Sequence, residues 1–506
     1  MARAISPILD ARGNPLPRSS APPSLPRPVR ARYDSAQTTD ENIRHWVNAD
    51  NISAKFTNLP NVRYNLRNRA RYEVANNSYA AGIVATIAQD IIGTGPRLQL
   101  LSDDEAENSR IEAEWAQWVR AVHLPARLTT MRRSLAVDGE AFCMMISNPR
   151  VEDFTPVQLD LRLIEADQVA TPWFNPVDPL ATDGICYDEH MNPLRYSILK
   201  RHPGDFYQIG LVADWYDARR IIHWFHVDRP GELRGVPELT PALPLFAQLR
   251  RYTLAVLAAA ETAADFAAIL YSEMPPDGEA ADSVPFDTVP IERRMMMTLP
   301  GGWKMSQFRP EQPSQQYSDF KHELIAEISR ALLIPKSLAL GDSADLNYSS
   351  GRLDHQVYHR NVQITRSEIE VRILDRLFAA WLNEMSLATD LIAGGPDRLE
   401  GFPHIWYWDG FGHVDPQKEA LAQQTRLQNH TTTYAEEYAK AGRDWKAQLI
   451  QRGRELALMG ELGLPLSWAP QPTEPPEEQP EPTTPAVPPS NGKSNGGDDD
   501  ENGKND

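Results

Sequence analysis

Cysteine is nearly absent. Cys143 and Cys186 are the two in 506 residues, too few for a disulfide framework and not in a metal-ligand spacing. They read as reduced, buried thiols. Long apolar runs are missing too, and none reaches the ~18 residues that could span a bilayer. The opening MARAISPILDARGNP is basic but broken by Pro7, Asp10 and Pro15, so it lacks the apolar stretch of a secretory signal. The expectation is a chain made and used without export, with no membrane partner. No Walker-type lysine loop occurs, so ATP hydrolysis by this chain is not expected. Positive charge is also short: 51 Lys and Arg face 69 Asp and Glu, a net −18. A sequence-specific DNA binder would usually carry a basic domain. Loose contact with DNA stays open, but tight contact driven by counterion release does not fit this balance.

The constellations that could carry chemistry are incomplete. Gly341-Asp342-Ser343 follows a helix, without the strand-turn-helix elbow that exposes a hydrolase nucleophile. His355 and His359 share a helix face, but HQVYH lacks the glutamate base of a zinc protease. They read as polar surface residues or as a pair at a subunit contact. Gly93-Thr94-Gly95-Pro96 lacks the third glycine and the preceding strand of a dinucleotide fold, and reads as a helix stop. Glu323, Glu327, Glu368 and Glu370 fit the polar sides of amphipathic helices. No catalytic, cofactor-binding or metal residue is expected, and the chain is not expected to be an enzyme.

What is present sorts into regions, two to four of them for a chain of this length. Residues 1–38 form a flexible arm, with six arginines and seven prolines before position 33. From Ala469 to the end, nine acids and two lysines give −7, leaving −11 on the rest, and nine prolines mark a disordered tail. Between them, helices are expected over Glu41–Val47, Arg67–Ile92, Glu105–Val122 and Ala126–Val137. Strands follow near Cys143–Ile146, Val157–Leu163, Tyr196–Leu199 and Ile221–Phe225. Arg293–Leu299 and Trp303–Met305 read as two strands around Pro300-Gly301-Gly302. Asp319–Leu333, with Phe320, Leu324, Ile325, Ile328 and Leu332 on one side, is helical and stops at Pro335. Arg352–Met385 is a second long amphipathic helix. Asp415-Pro416 opens another helix, Thr433 to Glu436 spells a capping box, and Asp444–Leu462 is the last helix. The fold class is α+β, mainly α.

The run Asp228–Tyr271 is the most distinctive. Arg229-Pro230-Gly231 with Gly235 and Pro237 makes a turn region feeding a long helix, in which ten positions between Leu239 and Tyr271 are alanine. Leu245, Leu249, Tyr252, Val256 and Phe266 interrupt the alanines as an apolar stripe. Small side chains on several faces suit a helix packed among copies of itself; a core helix of a soluble enzyme gives the same pattern.

With five further motifs in order, this run resembles the lambda-like branch of the tailed-phage portal proteins. The others are Arg67-Asn68-Arg69-Ala70-Arg71 with Asn76 to Gly82, Ile92-Gly93-Thr94-Gly95, Ile334-Pro335, Tyr348-Ser349-Ser350-Gly351-Arg352, and Val414 to Ala420. The resemblance runs from about Trp46 to Leu464. Gly351 stands where a small residue such as alanine is expected.

The resemblance implies a portal fold in a ring of about twelve copies at one capsid vertex, through which double-stranded viral DNA is packaged and ejected. By that reading 39–238 is an α+β wing, 239–271 a stem helix, 272–317 the clip and 318–333 a second stem helix. Residues 334–352 are a tunnel loop, 353–414 a long helix returning to the wing, and 415–468 a helical crown. The implied DNA-facing residues are Lys336, Ser337, Asp342, Ser343, Asn347 and Arg352; the clip's docking residues are Arg293, Arg294, Trp303 and Lys304. Implied partners are viral DNA, held transiently, the terminase large subunit, major capsid and scaffold proteins, and head-tail connector proteins. The place implied is the virion, after assembly in the host bacterial cytoplasm. Two other readings stand beside it: a head or tail component that does not conduct DNA, and a soluble enzyme with an unrecognised site.

Overall fold

The computed structural model describes residues 43–49, 51–171, 181–205, 212–265, 269–272, 303–306, 315–344, 348–392, 402–411 and 416–464. They belong to two compact units, Met1–Phe411 and Gly412–Asp506. The first opens with three helices, α1 (Ala54–Thr57), α2 (Pro60–Asn76) and α3 (Ser78–Ile92), then strand β1 (Arg97–Leu100) and helices α4 (Glu105–Ala121) and α5 (Leu124–Asp138). Strands β2 (Glu140–Ser147), β3 (Leu159–Ile164), β4 (Ala181–Thr182), β5 (Ile185–Tyr187), β6 (Pro193–Leu199), β7 (Ala213–Asp217) and β8 (Ile221–Phe225) follow. The rest comprises α6 (Leu243–Asp265), β9 (Ile269–Ser272), β10 (Trp303–Ser306), α7 (Gln315–Ala331), α8 (Lys336–Leu340), α9 (Tyr348–Ile369), α10 (Asp375–Ala388) and β11 (His404–Tyr407).

The sheets explain the apolar run Cys143-Met144-Met145-Ile146. β2 is the middle of an antiparallel sheet in the order β3-β2-β8, and a four-stranded sheet runs β4-β5-β6-β7. Alternate residues of a strand face opposite sides. Ala141 and Cys143 join the helical core with Trp224 and Leu161, while Phe142 and Met144 join a second core with Tyr196, Ile198 and Ile185. A strand covered on both faces loses the polar alternation of a surface strand. In the main core, Trp115 of α4 meets Phe378 and Trp381 of α10 edge-on at 5.5 and 5.4 Å. The Trp118 indole donates to the Leu159 carbonyl at 2.8 Å, tying α4 to β3.

Several expected boundaries move. Residues 43–48 form turns rather than a helix. The expected Arg67–Ile92 helix starts earlier, at Pro60, and breaks at Asn77, whose side chain caps α3 by accepting from the Tyr79 and Ala80 amides. The alanine-rich helix ends at Asp265, and Ile269–Ser272 is a strand paired antiparallel with Trp303–Ser306. Ile269, Leu270 and Tyr271 suit extended backbone better than the alanines before them. The strand expected at Arg293–Leu299 lies outside the described residues.

α9 and α10 are one rod joined by a π-helical turn, Glu370–Leu374. Ile369, Ile373, Leu377, Trp381 and Met385 are all buried, a recurrence of four residues. That period exceeds the 3.6 of an ordinary helix, and a wider turn takes up part of the excess.

The second unit holds α11 (Pro416–Gln428), α12 (Tyr434–Lys440) and α13 (Trp445–Glu461). The expected capping box is formed: the Thr433 hydroxyl accepts from the Glu436 amide at 3.2 Å, and Glu436 accepts from the Thr433 amide at 3.3 Å. Arg426 of α11 reaches Glu437 of α12 at 3.0 Å, tying the two helices together, and Glu419 of its own helix at 2.7 Å.

Candidate functional site

Two of the sequence motifs converge on one buried ionic junction. Arg63, Arg67 and Arg71 recur every four residues on α2 and so share a face. Arg63 pairs with Asp183, Arg67 with Asp167 at 3.0 Å, and Arg71 with Asp138 and Asp167, both at 2.7 Å. At the centre is Glu140, the first residue of β2, with a side chain 0% exposed. Arg234, of the Arg234-Gly235-Val236-Pro237 turn, grips it with two hydrogen bonds, Nε at 2.8 Å and an η nitrogen at 2.7 Å. Arg67 adds a third at 3.3 Å, His223 a fourth at 3.2 Å, and the Gly235 amide a fifth at 3.3 Å. Arg234 also donates to the carbonyls of Val169 and Asp183.

The backbones here fit too closely for side chains. Gly139 has φ +85°, and a Cβ on it would stand 2.3 Å from the Val236 carbonyl carbon. A Cβ on Gly235 would stand 2.0 Å from the Gly139 carbonyl oxygen. The two glycines let the turn press onto the start of β2, which brings Arg234 into reach of Glu140.

Charge follows the geometry. Burial alone would raise the Glu140 carboxyl, but the Arg234 guanidinium and the His223 hydrogen bond hold it well below the usual carboxylate range. Burial pushes His223 down; its Nε2 faces the Glu140 carboxylate, which can only accept, and its Nδ1 lies 3.5 Å from the Tyr196 hydroxyl. The ring is sandwiched between Phe142 and Phe225, centroids 4.2 and 4.4 Å away. A carboxylate this saturated with donors is a structural anchor, with no lone pair left for acid-base work.

The Ile92-Gly93-Thr94-Gly95 run stops a helix as expected. Gly93 has φ +56°, and the Thr94 hydroxyl donates to Asp409 at 2.8 Å. Arg366 of α9 covers the end of α3, donating to the carbonyls of Asp90 and Ile91 at 2.9 and 2.8 Å. A cation at helix-terminal carbonyls satisfies both their hydrogen bonding and the helix dipole. His355 and His359 lie with ring centroids 5.9 Å apart, and His359 stacks on Phe411 at 3.6 Å.

Among the described residues, one cluster has ligand atoms close enough for a metal: Glu165, Asp167 and His202. Asp167 already faces Arg67 and Arg71, and Arg71 lies 3.7 Å from Glu165. Two guanidiniums supply the counter-charge that a metal would bring.

The segment 334–352 is less of a loop than its sequence suggests. Ile334 is buried, Lys336–Leu340 form α8, and Tyr348 already begins α9. Gly341, at φ +69°, ends α8, and Asp342 accepts from the Ala344 amide at 2.9 Å, turning the chain. Ser337 is 7% exposed, so it faces the protein interior. Asp342, Ser343 and Arg352 are exposed. Lys336 is half-covered, with Nζ 3.5 Å from Glu323 of α7. Asn347 lies outside the described residues.

Comparison with known proteins agrees with these motifs. Residues 41–366 match the family model described as phage portal protein, lambda family. The chain belongs to the lambda family of phage portal proteins. Portal proteins are structural assembly components rather than enzymes. A probable portal protein of Halomonas phage phiHAP-1 is 24% identical over 489 residues, covering 88% of this chain and 91% of that protein. Among solved structures, the neck of an empty GTA particle gives a TM-score of 0.43 at 15% identity, over 73% of this chain and 91% of that one. The virion of a native gene transfer agent particle gives 0.42 at 12% identity, over 74% and 92%.

Within the portal match lie α2, the Glu140 junction, the Arg234 turn, α6 to α8 and most of α9. Of the residues expected to dock partners, Trp303 and Lys304 fall on β10, opposite Ser272 and Tyr271 of β9, while Arg293 and Arg294 lie outside the described residues. Sequence reasoning missed Glu140 and His223. The signal available was a charged residue directly after Gly139 and at the head of an apolar strand, a position that demands buried partners.

Proposed function

We propose that copies of this chain close into a ring of about twelve at one vertex of the capsid, forming the channel through which double-stranded DNA enters and leaves. The observation that carries this reading is the match to the portal family across 41–366. In this reading 39–238 is the wing, 239–271 and 318–333 the stem, 272–317 the clip, and 415–468 the crown. The clip, with Arg293, Arg294, Trp303 and Lys304, docks the terminase large subunit and later the head-tail connector proteins, while the outer body meets major capsid and scaffold proteins. Assembly takes place in the host cytoplasm and the ring remains in the virion.

The chemistry proposed is conduction. A duplex that must slide cannot be held by many phosphate contacts, because each adds to the free energy of leaving a position. The turn between α8 and α9 suits a weak hold. Lys336 stands beside Glu323, which tempers its charge; Asp342 repels phosphate; and Ser343, Asn347 and Arg352 offer a few replaceable contacts. Ser337, being buried, is not assigned to the DNA. Negative-stain electron microscopy of the purified chain tests the reading: rings with an axial opening wide enough for a duplex are expected, and a monodisperse monomer would sink it.

A further inference from the structure

The imidazole of His226, one residue past β8, faces a carboxylate on each side. Its Nε2 lies 3.3 Å from Glu238, just beyond the Arg234 turn, and its Nδ1 lies 3.6 Å from Glu368 of α9. Each carboxylate turns its other oxygen to an arginine. Glu238 meets Arg132 of α5 at 2.8 Å, and Glu368 meets Arg372 of the π-helical turn at 3.0 Å. The five groups make one line of alternating charge, Arg132, Glu238, His226, Glu368 and Arg372, drawn from four separate parts of the chain. The two arginines behind the acids oppose a charge on the ring; the two acids, which are nearer, favour it.

A carboxylate can only accept, and a neutral imidazole has a single N–H. A neutral ring can therefore serve one acid and must turn a lone pair toward the other. The line is complete only with the imidazolium in the middle. At 3.6 Å Glu368 is an ion-pair neighbour rather than a hydrogen-bond acceptor, so its hold on the ring depends on the ring's charge. Hydrogen bonding to Glu238 raises His226 above its ordinary value; burial opposes the rise, and the charges of Glu238 and Glu368 add to it. Burial would raise Glu238 in turn, but Arg132 and His226 hold it down at about 2, so it stays ionised. The His226 side chain is 39% exposed, and solvent protons reach it in the folded chain.

We propose that His226 is a proton-operated latch fastening α9 to the turn that leads into α6. With the ring charged, Glu368 is held toward the Glu238 side. With the proton gone, one ring nitrogen presents a lone pair where an N–H is needed, and the bridge between the two acids is lost. The sign follows from the raised ring. Its stabilisation is fully present below the unfolded value of about 6.5 and fades as pH rises through the folded value. In the ring reading the latch joins the root of the stem to the helix that leaves the tunnel turn. It is a property of a single chain, so its failure would leave the ring reading standing.

Thermal unfolding of the full chain, of His226→Gln, of Glu368→Gln and of the double variant tests the latch at about pH 6 and about pH 9.5. Glutamine is uncharged at both, and the two side chains are partly exposed, so the folds should survive. At the lower pH each single variant should melt below the wild-type chain. The double variant should lose less than the two single losses combined, because both break the same contact. At the higher pH this coupling should vanish. An absence of coupling at the lower pH, or a coupling that persists unchanged at the higher, would overturn the latch. Should His226→Gln not fold, Glu368→Gln decides alone: its deficit should shrink between the lower and the higher pH, and a constant deficit would overturn the proposal.

Discussion

At the scale of single residues, Glu140 illustrates the conditions under which a charge can sit fully buried at the head of a central strand. Five donors converge on a carboxylate that water cannot reach, and two of them come from one guanidinium. Removing a partner from such a pair leaves the survivor buried and uncompensated, which costs about 3–5 kcal/mol. Arg234→Ala should lose stability of that order in urea unfolding at neutral pH. The sign of the pH dependence follows from the depressed Glu140 carboxyl: its stabilisation is present above the unfolded value of about 4.5 and is lost as pH falls through the folded value. The penalty in Arg234→Ala should therefore shrink on acidification, as Glu140 accepts a proton. A penalty under ~1 kcal/mol at neutral pH would mean that the junction is not a major source of stability.

Among elements, the turn at 229–237 acts through its glycines. Gly235→Ala places a methyl carbon against a backbone oxygen that cannot swing aside, so a loss of about 1–3 kcal/mol is expected. Gly82→Ala, in the exposed interior of α3 with nothing within 4 Å of the new carbon, should instead stabilise by about 0.5–1 kcal/mol. Thermal melts of the two variants should move in opposite directions; parallel shifts would contradict the packing described. Much at this scale was legible in the sequence. The β2, β3, β6 and β8 strands announce themselves by β-branched and apolar runs, and α4, α5 and α13 were expected close to where they lie. Asn77 was less legible, because a residue that breaks one helix while capping the next leaves the apolar period uninterrupted. The strand at Ile269–Ser272 was hidden because its partner lies more than thirty residues on, where local pattern has no voice. The Glu140 site was half legible: the Arg234 turn was evident, but which acid it grips is decided by the fold alone.

For the whole molecule, the proposed path for DNA makes a demand that assembly does not share. Lys336, half-covered at the start of α8, and Arg352, exposed within α9, lie on either side of the turn joining the two helices and contribute little to the core. Lys336→Glu combined with Arg352→Glu should leave ring and procapsid shape unchanged, while strengthening phosphate repulsion within about 10 Å. Particles carrying the pair should hold incomplete genomes, measured by the length of protected DNA; full-length genomes would remove this turn from the path. One further consequence follows from the wide turn joining α9 to α10. Buried positions that recur every four residues would creep around an ordinary helix by about 40° at each step. The wide turn winds part of that creep back, much as a leap day resets a calendar. The long rod can thus keep one flank seated on the core through most of its length and leave the other flank of α9 free to act as a straight edge. A single residue gained or lost near Glu370 would not lengthen the rod so much as turn its far half, pointing Trp381 away from its socket beside Trp115.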